Sequence, residues 1–171
     1  MITIRPETAE DYAAIAEVNR LAFGQEEEAA LIEALRRSPG FIPELSLVAV
    51  DGDRVVGHIL FSPMVIETQD GATPALALAP MAVRPELQNQ GIGSELVRDG
   101  LEECRRLGHR IVVVVGHPAY YPRFGFSPAR ARGLEAPFPV PDEAFLALEL
   151  VRGALDGIAG VVKFPPPFEE V

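Results

Sequence analysis

Five β-branched residues in a row, Ile111-Val112-Val113-Val114-Val115, constrain this chain more than any other stretch. A strand with one wet face alternates apolar and polar residues, whereas an unbroken apolar run belongs to a strand covered on both faces. Such a strand needs helices packed on its sheet, and the sequence supplies one directly upstream. Residues 91–107 carry Leu96, Val97 and Leu101 at helical spacing. Before them, residues 74–83 read as another strand. Strand, helix and strand in that order make a crossover unit whose two strands lie parallel.

The rest of the chain extends this nucleus. Residues 2–5 alternate as a strand. Thr8 caps a helix, with Asp11 three residues on adding negative charge to its first turn. Ile15, Val18, Leu21 and Ala22 then follow at helical spacing, and a second helix over 25–37 carries Ala30, Leu31, Ala34 and Leu35 on one face. Residues 45–50, 54–66 and 74–83 form a meander, turning at Asp51-Gly52-Asp53 and Gln69-Asp70-Gly71. A short turn or helix is expected at 118–122, and strands at about 143–151 and 159–164. The fold class is therefore α/β, a mixed sheet flanked by helices. The length of 171 residues fits one domain, 1–171.

A formal net charge of −10 argues against nucleic acid or an anionic membrane as the main partner. No segment approaches the ~20 continuous apolar residues of a membrane helix. No charged leader precedes an apolar run, and the single cysteine, Cys104, rules out an intramolecular disulfide, so a cytoplasmic location is expected. Three scattered histidines and one cysteine make no zinc spacing, so no metal is expected.

Chemistry concentrates between Ala75 and Phe126. Gln88-Asn89-Gln90-Gly91-Ile92-Gly93-Ser94 opens the helix at 91–107. Glycines permit a tight turn, and the unpaired amides at a helix start, with its dipole, suit a diphosphate. Neither the P-loop lysine nor a third dinucleotide-fold glycine is present. Pro80 interrupts an otherwise buried strand, where it removes a ladder donor. A break there, splaying strands 74–83 and 110–115, would free backbone around Met81, Ala82 and Val83 for a ligand bearing amides. Finally, Tyr120 and Tyr121 follow the C-terminal end of the buried strand, where open α/β sheets place ligand sites.

Together these motifs resemble the GNAT N-acetyltransferase superfamily, in particular its YhbS-like branch. Gln88-x-x-Gly91-x-Gly93 resembles the family's acetyl-CoA motif. Ala82-Val83-x-Pro85-Glu86 resembles the strand end before it, and Tyr121-x-x-x-Gly125-Phe126 a later family motif. His117 departs from the branch, which often has Asp there.

The resemblance implies a GNAT-like, mostly antiparallel sheet with a splayed central strand pair. It also implies an acetyl-CoA-dependent N-acetyltransferase that moves an acetyl group directly to a primary amine. Gln88, Asn89, Gln90, Gly91, Ile92, Gly93 and Ser94 would hold the diphosphate. Met81, Ala82 and Val83 would hold the pantetheine arm, and Arg123 would meet a CoA phosphate. Tyr121, a phenol protonated near neutrality, is the candidate acid for the departing thiolate and also a cofactor contact. His117, His58, Glu26, Glu27 and Glu28 are open candidates for the base, with a satisfied structural histidine as the other reading of His58. Cys104 reads as a small buried residue. A non-catalytic acetyl-CoA sensor and a longer-chain acyltransferase remain alternatives, and both monomer and homodimer fit.

Overall fold

Alternation of Ile2, Thr3, Ile4 and Arg5 produces strand β1 (Ile2–Pro6). Asp11 then organises the entry into the first helix. Its carboxylate accepts the Thr8 N–H at 2.8 Å and the Arg5 guanidinium at 2.7 and 3.1 Å. The Arg5 hydrogen bond, foremost, holds the Asp11 carboxyl down at about 2. Helix α1 (Tyr12–Phe23) follows and stops at Gly24, whose φ of 70° lies in the left-handed region that favours glycine. Helix α2 (Glu27–Arg36) begins on two glutamates, which suit its positive N-terminal end.

The computed structural model describes residues 1–170. After α2 come β2 (Ser46–Asp51), β3 (Arg54–Thr68) and β4 (Gly71–Val83), then α3 (Ile92–Arg106) and β5 (Ile111–Val115). The remaining strands are β6 (Ser127–Pro128), β7 (Leu134–Glu135), β8 (Phe145–Glu149) and β9 (Gly160–Lys163). Strand order is β1-β2-β3-β4-β5-β8-β6, with β9 pairing β3 and β7. β1 with β2, β2 with β3, β5 with β8, β6 with β8 and β3 with β9 run antiparallel, whereas β4 with β5 and β7 with β9 run parallel. The class is the expected α/β with a mostly antiparallel sheet. The two-residue strands β6 and β7 carry no sequence pattern long enough to read.

Contacts divide the chain into two compact units. The first comprises Met1–Ser62, Ala79–Glu103 and the segment from Pro166 onward. Ile15 and Val18 of α1, Leu31, Ile32 and Leu35 of α2, and Val48, Val50, Val55 and Leu60 form its core. Leu21 is 48% exposed, against the expected face, because the stripe of α1 turns through Ile15, Val18 and Asn19 instead. In α2 the phase differs by one residue: Ala29 and Ile32 are buried and Ala30 is exposed. Gly57 lets Leu96 of α3 approach β3, since an added Cβ would lie 3.0 Å from Leu96 Cδ1. Gly100 does the same for Phe61: an added Cβ would lie 2.4 Å from the ring.

A buried polar chain crosses this core. Arg36 donates to both Glu7 carboxylate oxygens at 2.9 and 3.0 Å. The Ser46 hydroxyl donates to the same carboxylate and lies 2.9 Å from His58 Nε2. Burial, and then the Arg36 charge, push the His58 imidazole down to about 3. His58 is thus a neutral member of the core, bonded through Nε2 to Ser46 while its buried Nδ1 has no hydrogen-bond partner, so it is not the fully satisfied histidine of the structural reading.

The second unit comprises Pro63–Leu78 and Cys104–Pro165. Its centre is β5, whose Ile111 to Val114 are buried as the β-branched run predicts. Val115 is 42% exposed and marks where the strand emerges. β5 pairs with β8 over five residues, from Ile111↔Glu149 to Val115↔Phe145. Its parallel ladder with β4 has only two pairs, Leu76↔Val112 and Ala77↔Val113.

Two stability predictions follow from this packing. Gly100→Ala forces a methyl into the Phe61 ring and should cost about 1–3 kcal/mol in urea unfolding; wild-type stability would contradict the contact. The folded state takes up the His58 proton only near pH 3, the unfolded chain near 6.5. Stabilisation is therefore complete above about pH 6.5 and lost progressively toward pH 3. The urea midpoint should fall between pH 7 and pH 5, and His58→Gln should flatten that fall; an identical slope in the variant would contradict it.

Candidate active site

The loop after β4 is shaped by backbone bonds. Arg84 N–H donates to Val56 O on β3 at 2.9 Å. Strand alternation then turns the backbone of Ala82 toward β3 and that of Met81 and Val83 away from it. Pro85–Leu87 make one 310 turn, and Gln88 Nε2 reaches back to donate to Val83 O at 3.0 Å. The Gln88 side-chain amide is thus committed to the strand end, and Val83 keeps only its N–H for another partner. Met81 is half-buried, and Ala82 and Val83 are buried.

Gln88, Asn89, Gln90 and Gly91 are exposed. Asn89 and Gly91 both adopt positive φ, 64° and 89°, which asparagine tolerates and glycine favours. Glu95 N–H donates to Gly91 O at 3.0 Å, so the helical ladder of α3 starts at Gly91. The amides of Ile92 and Gly93 lie ahead of that first donor, at the positive end of a 15-residue helix. Ile92 is buried and anchors the helix start, while Gly93 and Ser94 are half-buried. An added Cβ at Gly91 would meet nothing within 4 Å, so the turn presents open backbone. These features fit a diphosphate, which needs outward N–H groups without side chains in the way.

The second group of candidates lies in the second unit. β5 ends at Val115, and Gly116 N–H donates to Ala144 O at 2.9 Å. His117 is exposed, and its carbonyl accepts the Tyr120 and Tyr121 N–H groups at 3.1 and 3.3 Å. A 310 turn over Tyr121–Phe124 closes at Gly125, φ 102°. Tyr121 is 8% exposed. Its ring meets the rings of Tyr120 and Phe126 edge-on, at 5.1 and 5.7 Å. The ring also lies directly on Gly116, where an added Cβ would sit 2.4 Å from Cε2. Burial, then the neighbouring Tyr120, raise the Tyr121 phenol well above its ordinary value, so it holds its proton throughout the neutral range. Tyr120 packs on Phe124 at 5.3 Å, and the Arg123 guanidinium stacks over Tyr120 at 4.7 Å.

The open candidates for a base separate clearly. His58 is wholly buried and presents no surface to an amine. Glu26 is paired with Arg20 at 2.5 Å, and Gln25 donates to both Glu28 oxygens at 3.0 Å. Glu26 lines an open groove of about 630 Å³ that Arg20, Arg36 and Arg37 also line, so cations offset its charge there. His117 remains exposed beside the tyrosines. Cys104 is fully buried in α3, as expected of a small apolar residue. Among the described residues no group of three His, Cys, Asp or Glu is placed to hold a metal, and no helix is long and apolar enough to cross a membrane.

Two residues gain importance that the sequence does not suggest. Gly116 is the seat of the Tyr121 ring; its only signal is a glycine directly after the β-branched run. Arg84 is buried although it directly precedes a proline turn, and no local pattern announces this.

Comparison with known proteins agrees with this geometry. The acetyltransferase (GNAT) domain family matches residues 3–129. The uncharacterized N-acetyltransferase YjhQ of Escherichia coli K12 is 42% identical over 134 residues, 78% of this chain and 74% of its own. The uncharacterized N-acetyltransferase YhbS of the same strain is 35% identical over 166 residues, 96% of this chain and 97% of its own. The crystal structure of E. coli YhbS in complex with CoA superposes with a TM-score of 0.90 at 34% identity, covering 98% of this chain and 92% of that one. A GNAT family acetyltransferase from Brucella melitensis in complex with acetyl-CoA superposes at 0.80 with 31% identity, covering 98% of both chains. By sequence, by fold and by the motifs that carry its chemistry, this chain is a member of the GNAT acetyltransferase family.

Proposed function

We propose that residues 1–171 act as one N-acetyltransferase domain that moves the acetyl group of acetyl-CoA directly to a primary amine. The observation that carries this reading is the turn into α3, where Asn89 and Gly91 at positive φ lead to a helix start with amides ahead of its first donor. CoA and acetyl-CoA in the YhbS and Brucella structures support the choice of donor.

The diphosphate rests on the backbone of Gly91, Ile92, Gly93 and Ser94, with Asn89 and Gln90 at the rim. Gln88 contributes by holding the loop to Val83. Met81 offers its backbone groups to the pantetheine amides, while Ala82 keeps the strand on β3. The Val83 N–H faces the thioester oxygen and stabilises the charge that develops there; one such donor is worth about 3 kcal/mol in a transition state. Arg123 meets a phosphate of the nucleotide when it swings from Tyr120.

Tyr121 supplies the proton. As the amine nitrogen bonds to the acetyl carbon, the carbon–sulfur bond breaks and the phenol protonates the sulfur. The nitrogen's surplus proton passes through water to restore the phenol. Burial raises the pKa of the phenol, which keeps its proton in place until the thiolate forms beside it. A sensor without turnover would need no such donor.

Thiol release from acetyl-CoA across an amine panel tests the activity. Tyr121→Phe should lower kcat about a hundredfold or more with CoA affinity little changed; an unchanged kcat at all pH values removes Tyr121 from the role. Gly116→Ala should displace the ring and lower kcat about tenfold. Wild-type kcat in that variant would show that the ring's seat does not matter.

A further inference from the structure

Arg84 is an expensive residue to bury, and nothing assigned to the site so far uses it. Its side chain is 7% exposed. An isolated charge at such a position is strongly disfavoured unless hydrogen bonds compensate. Here Nε donates to Val55 O on β3 at 2.9 Å, and Nη1 donates to the Glu17 carboxylate on α1 at 3.1 Å. The backbone of the same residue makes two more bonds: its N–H donates to Val56 O and its C=O accepts the Leu87 N–H, both at 2.9 Å. Arg84 therefore grips two successive carbonyls of β3 and one helix, and also starts the turn that leads to the glycine loop.

We propose that Arg84 is a positioning residue for the nucleotide: its buried guanidinium, through Val55 and Glu17, holds the end of β4 so that the loop from Gln88 to Gly93 is pre-set for a diphosphate. This rests on the reading of that loop as the CoA site. The Gln88 bond to Val83 O closes the other side of the same short segment. Six residues from Val83 to Gln88 are thus braced at both ends immediately before the two positive-φ positions. The Glu17 side chain is 58% exposed, so the brace runs from the core to the surface of α1. An ion pair with one partner in solvent is a poor source of net stability, because its attraction is screened. Fixing one loop geometry is a better account of its presence. A loop that is competent only part of the time binds its ligand more weakly by that fraction.

The test compares wild type with Arg84→Met, Arg84→Lys and Glu17→Gln. CoA affinity is measured by calorimetry, KM for acetyl-CoA and kcat by thiol release, and stability by urea unfolding. Arg84→Met should raise both Kd for CoA and KM for acetyl-CoA about tenfold, with kcat at saturating acetyl-CoA changed less than about twofold. Arg84→Lys, which keeps the charge but not both bonds, should fall between Met and wild type. Glu17→Gln should weaken CoA about two- to threefold, and amide exchange from Gln88 to Gly93 should quicken in the unliganded variants. A purely structural residue would lower the urea midpoint and leave the affinity of the folded protein unchanged. Should Arg84→Met fail to fold, unchanged CoA affinity in both Arg84→Lys and Glu17→Gln overturns the proposal. Wild type that binds no CoA overturns this proposal and the site reading together, whereas wild-type binding with unaltered variants overturns this one alone.

Discussion

The parallel ladder between β4 and β5 closes after two pairs, at Leu76 and Ala77, and everything asked of the site depends on that early stop. β5 meanwhile continues along β8 to Val115, so its own stability does not require a longer parallel partner. The consequence falls on Met81 and Val83, whose backbone groups alternate away from β3. Unpaired strand backbone is a liability unless something hydrogen-bonds to it. In the proposed function, an extended ligand with amides at peptide-like spacing would add there as a strand.

Charge is handled in three different ways. In the core of the first unit, Arg36, Glu7 and Ser46 satisfy one another, and His58 stays neutral beside them. That chain contributes to how stability varies with pH. At the glycine loop the proposed diphosphate site is built from backbone dipoles at a helix start. The net charge of −10 is therefore no obstacle to an anionic cosubstrate, because fixed N–H groups dominate at hydrogen-bonding distance. Tyr121 is a third case, an ionisable group kept neutral by burial, with its ring fixed by Gly116, Tyr120 and Phe126.

Much of this architecture is legible in the residues themselves. The β-branched run at 111–115, the capping pair Thr8 and Asp11 and the glycine-opened helix each express a local rule, and each element forms within a few residues of its expected bounds. Helix faces were less legible. Ala carries too little hydrophobic signal to set the phase of α2, and Leu21 lies at the edge of the stripe of α1. Residues whose role depends on distant partners leave no local mark. Arg84 meets Val55 and Glu17, 29 and 67 positions away, and Glu7 meets Arg36 across 29. The commitment of Gln88 to Val83 likewise emerges only once the loop is folded. The amine acceptor leaves no trace in any motif, because the motifs describe the half of the site that holds the donor.

A crystal structure of this chain grown with excess CoA addresses the central claim most directly. The account predicts diphosphate oxygens within hydrogen-bonding distance of the amides from Gly91 to Ser94, pantetheine amides paired with the backbone of Met81, and the Val83 N–H facing the thioester end. Density for CoA elsewhere, with the glycine turn empty and Met81 and Val83 bonded to β5 along an extended ladder, would contradict it.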